Sequence, residues 1–173
     1  MKLLIVVDLQ NDFVDEAVLG TPEARAIIPA VKEKIKRHLE NKGAVIYTRD
    51  THFDNYLETQ EGKRLPVPHC VNKTRGWEIV DGVYVQGSMV VDKPTFGSTW
   101  LPSYICSNYR DSVESIELVG LCTDICVISN AMMLKAFFPE SQIIVDSACC
   151  AGVSPSSHNN ALEAMKVCQI DII

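Results

Sequence analysis

The sequence carries no surplus of positive charge: 16 lysines and arginines stand against 22 aspartates and glutamates, for a formal net charge of −6. It therefore lacks the basic face that nucleic acid phosphates call for. No apolar run approaches the ~20 residues of a membrane span. The opening segment, Met1 to Asp8, meets an acid after five apolar residues, which is too short for the core of a secretion signal. There is no CxxC. The seven cysteines, at 70, 106, 122, 126, 149, 150 and 168, are odd in number, which argues against a disulfide scaffold and for a reducing, cytoplasmic setting. GxGxxG, GxxxxGK[ST] and GxSxG are missing too, so nothing marks a dinucleotide or other nucleotide cofactor, a P-loop or a serine nucleophile elbow.

What is present is an acidic chain of 173 residues with 47% hydrophobic composition. No repeat, low-complexity tract or linker divides it, and residues 1–173 read as a single domain. A chain of this size buries enough surface to fold without a metal or a disulfide, so any metal would serve function. Short β-rich runs recur at Leu3 to Val7, Ala44 to Thr48, Met89 to Val91, Ile116 to Val119, Ile143 to Val145 and Ile170 to Ile173. The first is apolar throughout, as befits a strand covered on both faces. Between the first two runs, Thr21 can cap a helix that Pro22 opens, Pro29 must kink or restart it, and Gly43 ends it. Ile125 to Phe138 predicts a largely buried helix that stops before Pro139. Ser156 to Cys168 predicts another, with Ala161, Leu162, Met165, Val167 and Cys168 as its apolar contributors. The alternation predicts an α/β fold, a three-layer domain around a mainly parallel sheet of about six strands. Thr51 to Gly87, rich in proline, glycine and polar residues, reads as a long excursion, and such ordered loops are usually functional.

Ligands of open α/β sheets bind beyond the carboxyl ends of the strands. The residues that follow the predicted strands are Asp8; Asp50 and His52; Lys93; the segment Gly120 to Cys126; and Asp146. Cys126 is the candidate nucleophile, in the first turn of the apolar helix, where unpaired N–H groups and the helix dipole favour a thiolate and can hold an oxyanion. A buried, inert cysteine is the alternative. Asp8 can take the thiol proton, or cap a turn instead. Lys93 can pair with Asp8 or the thiolate, or reach out to solvent as a surface lysine. Asp50 and His52, spaced i, i+2, point the same way in extended chain. With His69 they can hold Zn²⁺ or a similar divalent metal and leave a position open, unless the histidines are merely superficial. Cys106, Cys149, Cys150 and Cys168 read as packing, and His38 and His158 as structural or solvated.

Taken in order, Val7-Asp8-Leu9-Gln10-Asn11-Asp12-Phe13, Thr48-Arg49-Asp50-Thr51-His52, Pro68-His69-Cys70, Asp92-Lys93 and Gly120-Leu121-Cys122-Thr123-Asp124-Ile125-Cys126-Val127 resemble the isochorismatase-like cysteine hydrolases, and within them the nicotinamidases. The resemblance covers nearly the whole chain and implies their Rossmann-like hydrolase fold. It implies a catalytic triad of Asp8, Lys93 and Cys126, a cis peptide before Cys122, and an oxyanion hole of the Cys122 and Cys126 N–H groups. It also implies a divalent metal on Asp50, His52 and His69 beside the substrate ring, stacking by Phe13, and a homo-oligomer. The implied reaction is amide hydrolysis through a thioester, with nicotinamide the first candidate substrate. Another small amide or ureido compound, an isochorismatase-like ether cleavage, or a silent binding scaffold stand as alternatives. The chain departs from the nicotinamidase pattern at Thr51, where those enzymes often carry tryptophan, and within Leu65-Pro66-Val67-Pro68, where an aromatic residue is expected. Glu58 or Glu61 can add a ligand or a substrate contact, a solvated loop glutamate being the simpler reading of each.

Overall fold

The computed structural model describes residues 1–15, 18–109 and 112–173. Six strands form one sheet: β1 (Lys2–Val7), β2 (Ala44–Asp50), β3 (Met89–Lys93), β4 (Ser115–Leu121), β5 (Gln142–Ala151) and β6 (Asp171–Ile172). Their order is β3-β2-β1-β4-β5-β6, and every neighbouring pair is parallel. All six predicted runs are therefore strands. The chain leaves β1 toward β2 and β3, then returns to the other side of β1 for β4, so the sheet switches direction between β1 and β4. A crevice at such a switch point is where an open α/β sheet receives a ligand.

β1 is apolar throughout because both of its faces are covered. Leu3, Ile5 and Val7 join one core with residues of α4 (Trp100–Tyr109), α5 (Ile128–Phe137) and α6 (Pro155–Val167). Leu4 and Val6 join the other core, with residues of α1 (Pro22–Ala26) and α2 (Ile28–Glu40). Three layers result. Thr21 caps α1 by accepting from the Ala24 N–H at 3.1 Å, and Pro29 stands in the first turn of α2, so the proline restarts the helix. At Gly120 (φ +118°) a Cβ would lie 2.1 Å from the Val7 carbonyl oxygen. Glycine lets β4 run tight against β1 beside the switch point.

Four expectations change. The residue that turns left-handed after α2 is Lys42 (φ +59°); a Cβ on Gly43 would meet the His38 ring at 2.1 Å, so the glycine lets that half-buried side chain lie against the turn. Val167 and Cys168 are exposed, because α6 turns them away from the core that receives Ala161, Leu162 and Met165. Helix α4 answers to no predicted segment. Asp146 is not at the sheet's rim: β5 continues to Ala151, and its register against β4 jumps from Leu118–Val145 to Gly120–Cys150. The extra residues bulge toward α2, where Lys34 binds Asp146 and Glu117, each at 2.7 Å.

Burial opposes charge on both Asp146 and Lys34, but their hydrogen bonds outweigh it, lowering the Asp146 pKa and raising that of Lys34. The depressed carboxylate stabilises the fold above its ordinary pKa, and that contribution is lost as pH falls through the folded value. The raised ammonium stabilises the fold below its ordinary pKa of 10.5, and that contribution is lost as pH rises through the folded value. Lys34→Met should cost roughly 1–3 kcal/mol at pH 7 in urea unfolding. The difference from the parent protein should shrink at both pH extremes.

Candidate active site

The carboxyl ends of β1, β2, β3 and β4 meet around one cavity of about 830 Å³. Asp8 follows β1 with a left-handed backbone (φ +45°), a conformation uncommon for a residue bearing a Cβ. Its N–H donates to the Thr48 carbonyl at 3.2 Å, and its Oδ1 accepts from the Thr48 hydroxyl at 2.6 Å. Lys93, the last residue of β3, is 1% exposed, so the surface-lysine alternative does not hold. Its Nζ lies 2.5 Å from Asp8 Oδ2 and 3.4 Å from Cys126 Sγ.

Cys126 belongs to a wide turn, Thr123–Val127, that enters α5. Here the Val127 N–H reaches back five residues to the Cys122 carbonyl at 3.0 Å. The thiol thus precedes the regular helix, rather than lying in its first turn as expected. Asn130 secures this turn. Its Nδ2 donates to the Cys126 carbonyl at 2.8 Å, while its Oδ1 accepts from the Ser98 N–H at 3.0 Å. The Leu121–Cys122 peptide is cis, as the resemblance implies.

Burial, with the Asp8 carboxylate second, pushes the Cys126 thiol well above its ordinary pKa, against the pull of Lys93. Burial and Asp8 thus work against the helix-end preference for a thiolate. Burial likewise raises Asp8, opposed by Lys93. The Lys93 ammonium loses from burial but gains more from Asp8, Cys126 and Asp50, and is raised. Burial and then Asp124 push the Cys122 thiol up to about 12. All seven cysteines are free.

Asp50 closes β2, and His52 lies two residues beyond. The excursion then turns back so that the His52 N–H donates to the Cys70 carbonyl at 3.0 Å and the Asn72 N–H to the His52 carbonyl at 2.9 Å. This pairing sets His69 beside His52, their ring centroids 4.8 Å apart. Asp12 Oδ2 accepts from the Cys70 N–H at 2.7 Å, and Tyr56 packs edge-on against both imidazoles. Within the excursion, α3 (Gln60–Arg64) is capped by Thr59, which accepts from the Gly62 N–H at 3.0 Å. A Cβ on Gly62 would meet the Tyr56 carbonyl oxygen at 2.1 Å, so glycine lets α3 press close.

That helix delivers Glu61 to the cluster, whereas Glu58 is exposed; the solvated reading suits Glu58 alone. The donor atoms of Asp50, His52, Glu61 and His69 all lie within 4.8 Å of one another. His52 Nε2 is 2.9 Å from Asp50 Oδ2 and 3.5 Å from Glu61 Oε1. His69 Nε2 is 3.4 and 3.7 Å from the same two atoms. Ligands on a tetrahedral zinc with arms of ~2.1 Å are about 3.4 Å apart, so these separations suit such an ion. The His69 Nδ1–H donates to the Val67 carbonyl at 2.8 Å, which turns Nε2 toward the cluster. Burial resists charge on His52, but Asp50 and Glu61 lift it to about 9. Burial opposes charge on Asp50 too, yet His52, His69 and Lys93 hold it below the usual carboxylate range. Two imidazoles and two carboxylates turned toward one point suit a divalent cation.

Sequence reasoning gave no role to Gln10, which is fully buried. Its side chain accepts from the Asp50 N–H at 2.7 Å and donates to the Asp50 and Trp77 carbonyls at 2.9 Å each. Gln10 and Thr48 lie inside the quoted motifs, which was the only signal available for either. Phe13 lines the cavity and tilts against His69 at 5.5 Å. Thr51 accepts from Trp77 Nε1–H at 2.9 Å, and Arg49 stacks over that indole at 3.5 Å. Trp77 therefore buttresses the site from behind, while Leu65 and Phe96 face the cavity.

The Isochorismatase domain family matches residues 2–173. The nicotinamidase/pyrazinamidase of Mycobacterium tuberculosis is 25% identical over all of this chain and 98% of its own length. The nicotinamidase of Schizosaccharomyces pombe is 27% identical over 98% of this chain and 91% of its own. Among solved structures, the pyrazinamidase of Pyrococcus horikoshii in complex with zinc superposes with a TM-score of 0.83, at 28% identity over 99% of this chain and 98% of that one. With sequence, sheet order and rim in agreement, the chain belongs to the isochorismatase family, in its nicotinamidase-like branch.

Proposed function

We propose that this protein, a hydrolase of amide C–N bonds, uses Cys126 as its nucleophile and converts nicotinamide to nicotinic acid and ammonia. The observation that carries the reading is the buried Asp8–Lys93 pair set against Cys126 Sγ. Asp8 accepts the thiol proton as sulfur attacks the amide carbon, and the Cys122 and Cys126 N–H groups serve as the oxyanion hole. Asp8 then returns that proton to the departing ammonia, and water hydrolyses the thioester that remains. Lys93 holds the thiolate while it exists. Phe13 stacks on the substrate ring. Asp50, His52, His69 and Glu61 are the residues that would hold a divalent metal, and such an ion supplies Lewis acidity at the ring end of the cavity. Zinc fits a donor set of two imidazoles and two carboxylates.

The alternatives weighed from the sequence find less support. A silent scaffold gains nothing from burying an ammonium beside a thiol, and ether cleavage leaves the four-residue cluster without a purpose. Free thiols and an acidic composition suit a reducing cytoplasm. Among the described residues no helix is long and apolar enough to cross a membrane.

Cys126→Ala should lower ammonia release from nicotinamide by about 10³-fold or more with unfolding unchanged; comparable activity in that variant would sink the mechanism. Chelation should lower the rate and Zn²⁺ restore it. Glu61→Gln should weaken zinc affinity at least about tenfold in a competition titration, and unchanged affinity would remove Glu61 from the ligand set. Because Asp8 must be ionised and its pKa is raised, kcat/KM should fall on the acid side at a higher pH than a free carboxylate dictates. An acid limb at or below the ordinary value of 3.8 would contradict that role.

A further inference from the structure

The proposed oxyanion hole takes its two N–H groups from opposite ends of one turn: Cys122 stands just before Thr123–Val127 and Cys126 near its close. Both ends must stay fixed while charge develops on the amide oxygen. Asn130 holds the far end through the Cys126 carbonyl. The near end is held from α6. Thr123 is fully buried, and its hydroxyl lies 2.8 Å from Nδ1 of the half-buried His158, the kind of partner that a buried hydroxyl needs. One residue on, the Asp124 carboxylate accepts from the Val153 N–H at 3.1 Å. The start of α6 is a firm base for these contacts, because Ser154 Oγ accepts from the Ser157 N–H at 3.2 Å and Ser157 Oγ from the Ser154 N–H at 3.1 Å, a reciprocal pairing that pins the first turn. His158 follows at once, its N–H donating to the Ser154 carbonyl at 2.9 Å. Gly152 permits the approach, since a Cβ there would lie 2.8 Å from that of His158 and 3.1 Å from an Asp124 carboxylate oxygen.

We infer that His158 is a positioning residue for the hydrolysis: through the Thr123 hydroxyl it fixes the near end of the turn, and so holds the Cys122 N–H at the spacing from the Cys126 N–H that an oxyanion requires. This rests on the amidase mechanism proposed above and adds a residue to it. The placement of that N–H matters most when the amide carbon becomes tetrahedral and its oxygen takes up charge; the planar substrate and product ask less of it. Loss of the contact should therefore appear in kcat and leave KM in place. The competing account is that His158 only packs α6 against the turn, in which case its removal would lower stability and spare the chemical step.

The test uses the zinc-loaded protein and three substitutions. His158→Leu keeps similar bulk without the ring nitrogens, His158→Asn sets a polar atom where Nδ1 stands, and Thr123→Val removes the hydroxyl from the other side. His158→Leu and Thr123→Val should each lower kcat for nicotinamide about tenfold, with KM within about twofold. The double variant should lose little more than either, because both act through one contact. His158→Asn should regain most of the parent rate. Pyridine-3-carbaldehyde gives a readout that needs no turnover: the Cys126 sulfur bonds to its carbonyl carbon, the carbonyl π bond opens, and the thiol proton passes to the oxygen, which then occupies the hole. His158→Leu and Thr123→Val should weaken aldehyde binding about tenfold and nicotinic acid binding less than about twofold. A kcat within about threefold of the parent's in either single variant, additive losses in the double variant, no recovery in His158→Asn, or equal weakening of aldehyde and acid would overturn the inference. If the parent releases no ammonia from nicotinamide, the substrate reading has failed, and the comparison of aldehyde with acid alone judges His158. A parent protein that does not bind the aldehyde overturns the inference as well.

Discussion

The buried contact between Asp8 and Lys93 is the constraint around which the rest is arranged. Two opposite charges removed from water cost several kcal/mol each unless their geometry and remaining hydrogen bonds compensate. The compensation here is specific: Thr48 holds the other oxygen of Asp8, and Lys93 is shared among Asp8, Asp50 and Cys126. Because Asp8 follows β1 and Lys93 ends β3, with β2 between them, the pair forms only when the three strands keep register; Asp50 lies opposite Lys93 across β2 and β3. In the proposed mechanism the pair also lets a deeply buried thiol act as a nucleophile. Moving the proton from sulfur to Asp8 leaves the net charge of the triad unchanged, and the ammonium trades one anion for the other. Reaction then needs no new net charge in a low-dielectric interior, and that condition keeps the barrier within reach of a general base.

The same lysine couples this centre to the histidine cluster. Asp50 Oδ2 serves the histidines, while Oδ1 is buried with only the Lys93 ammonium facing it, at 3.5 Å. Its backbone is fixed on both sides by Gln10, itself fastened to the excursion through Trp77. A displacement of Asp50 would therefore disturb the ammonium and the imidazoles together. This accounts for a glutamine wholly enclosed at the end of an apolar strand, where an unpaired amide would be costly.

The sheet and the residues gathered at its rim were legible because each depends on local pattern. Apolar runs gave the six strands, and chain order delivered Asp8, Asp50, Lys93 and Cys126 to their ends. What escaped depends on contacts between distant segments. Asp146 read as a strand end since nothing local signals that β5 resumes after a bulge, and its partner Lys34 lies more than a hundred positions earlier. Lys42, not Gly43, turns left-handed, and the glycine lies against the His38 ring, a contact invisible in composition. Glu61 looked like any loop glutamate until the Thr59 cap and the close approach of Gly62 to Tyr56 turned a five-residue helix toward the histidines.

This division bears on how substrate range can change within the family. Asp8 and Asp50 lie at the ends of β1 and β2, which are paired on both sides, and Lys93 ends the edge strand β3, which is held in register by β2, so their relative positions are set by the sheet. The walls that meet the rest of a substrate come from less constrained segments. Phe13 belongs to the turn after β1, Leu65 and Arg64 to the end of α3, and Phe96 to the loop after β3. Thr51 illustrates the freedom this allows: with a hydroxyl where nicotinamidases often place an indole, it accepts a hydrogen bond from Trp77, and that aromatic ring ends behind the histidine cluster, stacked under Arg49. An aromatic wall is thereby exchanged for support at the back of the site and open space at its front, with the triad undisturbed. Selectivity can drift through α3 and its neighbours because none of them supplies the buried ion pair on which the chemistry relies.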